Sequence, residues 1–244
     1  MKKIAITLAV LSAGFSAHAA DATVAASTPA YTVTTDVTYA SEYVFRGQKN
    51  SNAAFQASAE VGYQNFYGGV WTNQPIRSSE TDEVDLYLGY GFPLQNDWKI
   101  DAGITSYNYP ETVVNTKTGF STYETYLGLT GGNFSGFTPS VYAYYDWKLD
   151  TYTLQGSVGY SLPIKQIGTS LDFSVTYGYA ANTGSYASNK APGTYWGAGV
   201  TVPYKLAPNA TLTGGLQYAG NDEDLTGYGE HYKLYYTVGL TLGF

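Results

Sequence analysis

Residues 232–244 read YKLYYTVGLTLGF, and the period of that stretch decides the fold. Tyr232, Leu234, Tyr236, Val238, Leu240, Leu242 and Phe244 take every second position, with Lys233, Tyr235, Thr237, Gly239, Thr241 and Gly243 between them. Successive side chains of a strand point to opposite faces, so this segment has one apolar face and one mostly polar face. Either a second sheet or a lipid phase must cover the apolar one.

The same alternation recurs upstream. From Tyr31 the odd positions, among them Val33, Val37, Tyr39, Tyr43 and Phe45, oppose Asp36, Glu42 and Arg46 on the even ones. Residues 53–64 set Phe55, Val61 and Tyr63 against Gln56, Ser58 and Glu60. Residues 84–92 set Leu86, Leu88 and Phe92 against Asp85 and Tyr87, and residues 98–107 set Trp98, Ile100 and Ile104 against Lys99, Asp101 and Tyr107. Further strands read at 120–130, 137–147, 151–162, 171–180, 194–203 and 210–219. Residues 66–73 carry an aromatic on both faces and leave their facing open. Counting them, the expectation is an all-β, antiparallel up-and-down transmembrane barrel of 12 strands, an even number that brings both termini to one side.

Connections are expected to sort by length. Longer charged segments such as QPIRSSETD, YPETVVNTKTG and AGNDEDLTGYGEH alternate with short ones such as QN, PLQND and GGNFSG. That is the asymmetry of outer-membrane barrels, long loops outside and short turns in the periplasm. A β-sandwich of similar composition has no reason to show it.

The chain opens with Lys2 and Lys3, an apolar stretch over 4–15, and Ala17-His18-Ala19. This reads as a signal peptide over 1–19, followed by a small, polar periplasmic lead-in over 20–30 and the barrel over 31–244. No other stretch approaches the ~18 consecutive apolar residues of a membrane helix, so membrane residence has to come from strands. The absence of cysteine sets aside disulfides, thiolate metal sites and a lipoprotein anchor. Without the leader, 10 basic side chains face 19 acidic ones, a formal charge of −9, which speaks against nucleic acid as a partner. Twenty-six tyrosines and 28 glycines suit a barrel wall. The in-phase terminal residues Val238, Leu240, Leu242 and Phe244 have the form of an assembly signal. Expected partners are therefore outer-membrane lipid and the barrel assembly machinery.

Several stretches carry a resemblance. SEYVFRGQ at 41–48, YGGVW, DLYLGYG, YNYPE and YETYLGL run in order through the first half of the barrel. They resemble Gcw_chp, a family of proteobacterial outer-membrane proteins of unknown function also described as TorF-type porins. The resemblance implies a barrel and a pore and supplies no substrate.

Parity turns Asp36, Glu42, Arg46, Glu60, Asp85, Lys99, Asp101, Glu124, Asp146, Asp172 and Lys233 inward, along with seven tyrosines. A cylinder of this size is ~24 Å across, room for a narrow lumen once side chains take their share. Acids outnumber bases on that list, which predicts a small channel for polar solutes with modest cation preference in the outer membrane. Two alternatives stay open: a hydrogen-bonded network that only braces a plugged, structural or binding barrel, and an outer-membrane lipid hydrolase. The hydrolase is disfavoured because His231 is the single histidine beyond the leader and no GxSxG occurs. No cofactor is expected, and the acidic run Asp222, Glu223, Asp224 lacks the spacing of an EF-hand loop, so no metal is expected there. Strand 1 is expected to run through Phe45, placing Tyr43 and Phe45 on the lipid side. Arg46 is expected to find its partner on a flanking strand or loop.

Overall fold

A computed structural model describes residues 31–114, 117–182, 193–222 and 232–244. The leader, the lead-in, His231 and residues 223–224 lie outside the described residues.

Fourteen strand segments are present: β1 Tyr31–Ala40, β2 Tyr43–Phe45, β3 Gln48–Ser51, β4 Ala54–Tyr63, β5 Phe66–Pro75, β6 Glu83–Pro93, β7 Lys99–Val114, β8 Lys117–Thr130, β9 Phe137–Asp146, β10 Thr151–Ile164, β11 Thr169–Asn182, β12 Gly193–Ala207, β13 Ala210–Asn221 and β14 Tyr232–Gly243. Twelve of them close into a barrel, in the order β1-β14-β13-β12-β11-β10-β9-β8-β7-β6-β5-β4, each antiparallel to its neighbours. β2 and β3 form a separate two-stranded sheet.

Closure is what a sheet in lipid requires, since an open edge would leave backbone N–H and C=O groups without water. The seam pairs Thr34 with Gly243 through to Ala40 with Thr237. It ends on reciprocal bonds between Val33 and Phe244, with N···O distances of 3.1 and 2.8 Å, so both described ends of the chain lie at one end of the barrel. That end is called the terminal end below, and the other the loop end.

The outer face is an apolar band. Val37, Val61, Leu86, Leu88, Leu127, Leu154 and Val175 are exposed around it. Rings border it at both ends, Tyr63, Phe66 and Phe92 at the terminal end and Phe55, Tyr152 and Tyr179 at the loop end. Such a surface is stable only against hydrocarbon flanked by interfaces.

Two expectations about the connections need correction. The segment YPETVVNTKTG is mostly strand, because β7 and β8 continue their ladder to Val114 and Lys117. The register shifts between Tyr109 and Val113, where Pro110 has no N–H to give the ladder. Connection lengths also sort less strictly than expected. Residues 147–150 make a short turn at the loop end, while residues 131–136 make a longer connection at the terminal end. In the short turn the Asp146 carboxylate accepts the N–H groups of Lys148 and Leu149 at 2.9 and 2.7 Å.

The larger correction concerns SEYVFRGQ. The first wall strand stops at Ala40, where Ser41 completes the last rung: its N–H bonds the Tyr236 carbonyl and its Oγ accepts the Tyr236 N–H, both at 2.9 Å. The chain then turns into the barrel. Arg46 and Gly47 take φ values of 48° and 73°, the left-handed pair of a two-residue hairpin turn between Phe45 and Gln48. Tyr43 is 2% exposed and packs with Tyr67, Trp71 and Tyr87, while Val44 packs with Ala219 and Tyr235. Tyr43 and Phe45 are thus lumen residues, contrary to the lipid-facing expectation. The charges around them explain the choice, because Glu42, Arg46 and Lys49 all find partners inside the barrel.

Candidate functional site

The lumen is divided by chemistry. Strands β5 to β9 bring tyrosines and carboxylates inward, and β10 to β14 bring mostly small and hydroxyl side chains such as Thr153, Ser157, Thr176, Thr201 and Thr237. On the first wall four rings each lie over a glycine directly across the ladder: Tyr67 over Gly89, Tyr87 over Gly69, Tyr126 over Gly103 and Tyr142 over Gly128. Tyr195 lies over Gly178 in the same way on β11 and β12. A Cβ at any of these glycines would overlap the ring, so the glycines let large side chains lie flat on the wall.

The acids are held by those rings and by neighbouring hydroxyls. Asp101 accepts the hydroxyls of Tyr67 at 2.8 Å and Tyr142 at 3.0 Å, with Lys99 Nζ at 3.9 Å. Glu60 accepts the Tyr87 hydroxyl at 3.1 Å. Near the terminal end Asp36 accepts Thr38 and Thr241 at 2.7 and 2.8 Å. Asp172 accepts Ser161 at 2.6 Å, and Asp146 accepts Thr122 as well as the two turn N–H groups. Lys233 is buried in β14. Val238, Leu240 and Phe244 are exposed on the outer face, with Leu242 partly exposed.

The hairpin adds a second layer near the loop end. Glu42 accepts Lys49 Nζ at 2.8 Å. Arg46 reaches across the lumen and donates two parallel bonds to Glu124, at 2.8 and 2.9 Å, while Tyr107 donates to the same carboxylate at 2.9 Å. Its guanidinium carbon lies 4.7 Å from the Phe45 ring centre and 4.6 Å from that of Tyr144. The expected partner on a strand flanking β1 is therefore replaced by one on β8. Behind the tip, Asn221 donates to the Gly47 carbonyl at 2.7 Å.

Asp85 stands apart. It is 0% exposed, and neither carboxylate oxygen has a hydrogen-bond partner.

Parity reasoning missed four members of this site. Tyr67 and Trp71 lie on the segment whose facing was ambiguous, and only the register of Trp71 with Asp85 settles it. Glu83 and Tyr109, joined at 2.9 Å, fall outside the strands expected at 84–92 and 98–107. A signal was available in the sequence: Tyr67 and Tyr87 each face a glycine of the other's segment, so DLYLGYG and FYGGVW can be aligned on each other. Outside the lumen, Asp222 accepts the backbone N–H and hydroxyl of Thr194 at 2.8 and 2.7 Å. The hydroxyl bond holds its carboxyl below the usual range.

The family model described as "Bacterial protein of unknown function (Gcw_chp)" matches residues 24–243. The chain belongs to that family. No curated protein matches this Gcw_chp chain by sequence. Solved structures match it by shape. They include the NanC porin at 16% identity and a TM-score of 0.56, covering 86% of this chain and 98% of the other. A Pseudomonas putida F1 outer-membrane channel has 13% identity and a TM-score of 0.56, with 89% and 97% covered. The KdgM porin in complex with disordered oligogalacturonate has 13% identity and a TM-score of 0.54, with 86% and 99% covered. At this identity the likeness is one of fold. The Gcw_chp chain thus shares the β-barrel fold of these outer-membrane proteins.

Proposed function

We propose that this barrel is a channel for small polar solutes with a modest preference for cations, and that the inward hairpin sets its narrowest level. The observation that carries this reading is the charge of the lumen. Asp36, Glu42, Glu60, Glu83, Asp85, Asp101, Glu124, Asp146 and Asp172 face inward, against Arg46, Lys49, Lys99 and Lys233. In a narrow passage with low-dielectric walls such an excess attracts cations and repels anions. Oligogalacturonate, the polyanion held by the KdgM porin, is for that reason a poor guide to the solute here. Catalysis forms no part of this reading.

The packing of the hairpin favours a second reading, a barrel plugged at the loop end that does not conduct at rest. Planar-bilayer recording across a KCl gradient separates the two. The expected result is a conductance whose reversal potential has the sign of K⁺ selectivity. A potential of anion sign would overturn the preference. Silence from protein that migrates as folded would favour the plug.

A further inference from the structure

Between the hairpin and the rim at the loop end lies a cleft of about 400 Å³, lined by Tyr43, Asn50, Thr81, Glu83, Tyr109 and Thr112. Such a volume falls within the range of small-ligand sites, roughly 300–1,000 Å³. Lys49 also borders the cleft, but its ammonium is bonded to Glu42 and Asn52, both at 2.8 Å.

The next inward residue of β6 after Glu83 is Asp85. Its neighbours across the ladders are Trp71 on β5 and Tyr107 on β7. The hairpin roofs both, with the Tyr43 ring 5.4 Å from Trp71 and the Phe45 ring 6.2 Å from Tyr107. Each of the other lumen carboxylates among the described residues has at least one donor, and Asp85 has none. Arg46, the guanidinium at this level, is already engaged bidentately by Glu124. A carboxylate enclosed without donors is costly, and it stands at lower cost where another group brings positive charge to it.

We propose that the cleft and Asp85 together form a capture site for a small primary amine. The ammonium group first meets Glu83 between the Tyr43 and Tyr109 rings, then Asp85 as the hairpin yields. A primary ammonium fits this chemistry, because it is compact, carries three donors for carboxylate oxygens and binds favourably to aromatic faces. A chelated divalent ion fits less well, since no three metal-ligating side chains converge among the described residues. The proposal deepens the cation-channel reading and rests on it, yet it concerns binding, which is measurable without conductance.

The test uses the full barrel refolded in detergent micelles, with folding checked by heat-modifiable gel mobility. Trp71 stands beside Asp85, so the emission difference between the wild type and Trp71→Phe reports on the site. Phenethylamine, its neutral isostere 2-phenylethanol and the anion 3-phenylpropionate are titrated at constant ionic strength. The amine should give a saturable change and the other two none. Glu83→Gln and Asp85→Asn should each weaken it about tenfold, the loss of one charged contact. Equal responses to amine and alcohol, equal displacement by K⁺, or no response from the wild type would each overturn the site. If either carboxamide variant fails to fold, the three-ligand comparison on the wild type still decides. A barrel that passes K⁺ but ignores the amine refutes the site alone, and one that binds the amine but stays silent refutes the channel alone.

Discussion

Arg46 forms the tip of the hairpin, with its guanidinium shared between the Glu124 carboxylate and two aromatic faces. The pair is nearly dry, with side-chain exposures of 11% and 4%. An ion pair in such a place is weak evidence of net stabilisation, because both charges were taken out of water. Breaking it is another matter. Arg46→Ala leaves Glu124 enclosed with only the Tyr107 hydroxyl, and should cost about 3–5 kcal/mol. Urea unfolding of the refolded barrel measures this. The double variant Arg46→Ala/Glu124→Gln should recover more than half of the loss, and a double variant no more stable than the single one would count against the pair. That Arg46 points inward was legible from its parity with Asp36 and Glu42. Its partner was not, because the hairpin carries it from β1 to β8 and β9 on the far side of the ring.

At the scale of elements, the hairpin is the part of the barrel that strand periodicity misplaces. It stays in the lumen through side-chain packing and through its tip, where Gly47 touches β13. A Cβ on Gly47 would overlap the Gly220 carbonyl, and the residue's φ of 73° is strained for any other side chain. Gly47→Ala should therefore move the tip off β13 and loosen Tyr43 from Trp71, leaving the wall strands paired. The readout is the Trp71 part of the emission, expected to shift to the red with heat-modifiable mobility retained. Unchanged emission would show that the tip contact does not hold the hairpin in place. The wall strands, in contrast, were readable from their faces nearly to the residue. Their ends run past the expected bounds where β7 and β8 continue beyond the Pro110 bulge and where β12 continues to Ala207.

At the scale of the whole molecule, the barrel closes on its last residue. Phe244 bonds the backbone of Val33 in both directions and lays an exposed ring on the outer face, in phase with Val238, Leu240 and Leu242. Deleting it removes the last rung of the seam and the terminal aromatic proposed as an assembly signal. The inserted, protease-resistant fraction in cells should fall several-fold with export unchanged, as read by outer-membrane fractionation. A truncated chain that refolds normally in detergent but fails in cells would assign the loss to assembly; equal failure in both would assign it to the seam.

The order of side chains along the strands by itself determined the barrel, its lipid-facing band and the inward turn of Asp85, Asp101 and Glu124. Those are consequences of a period of two between two solvents, a signal carried within each strand. Tertiary structure alone decided that Tyr43 and Phe45 line the lumen, that Arg46 finds Glu124, and that Asp85 is left without a donor. Residues 43–45 alternate as well as any wall strand, so period cannot tell a strand that stays in the wall from one that folds behind it. What separates them is contact energy with strands distant in sequence: Trp71 under Tyr43, Ala219 beside Val44, and a carboxylate across the lumen for Arg46.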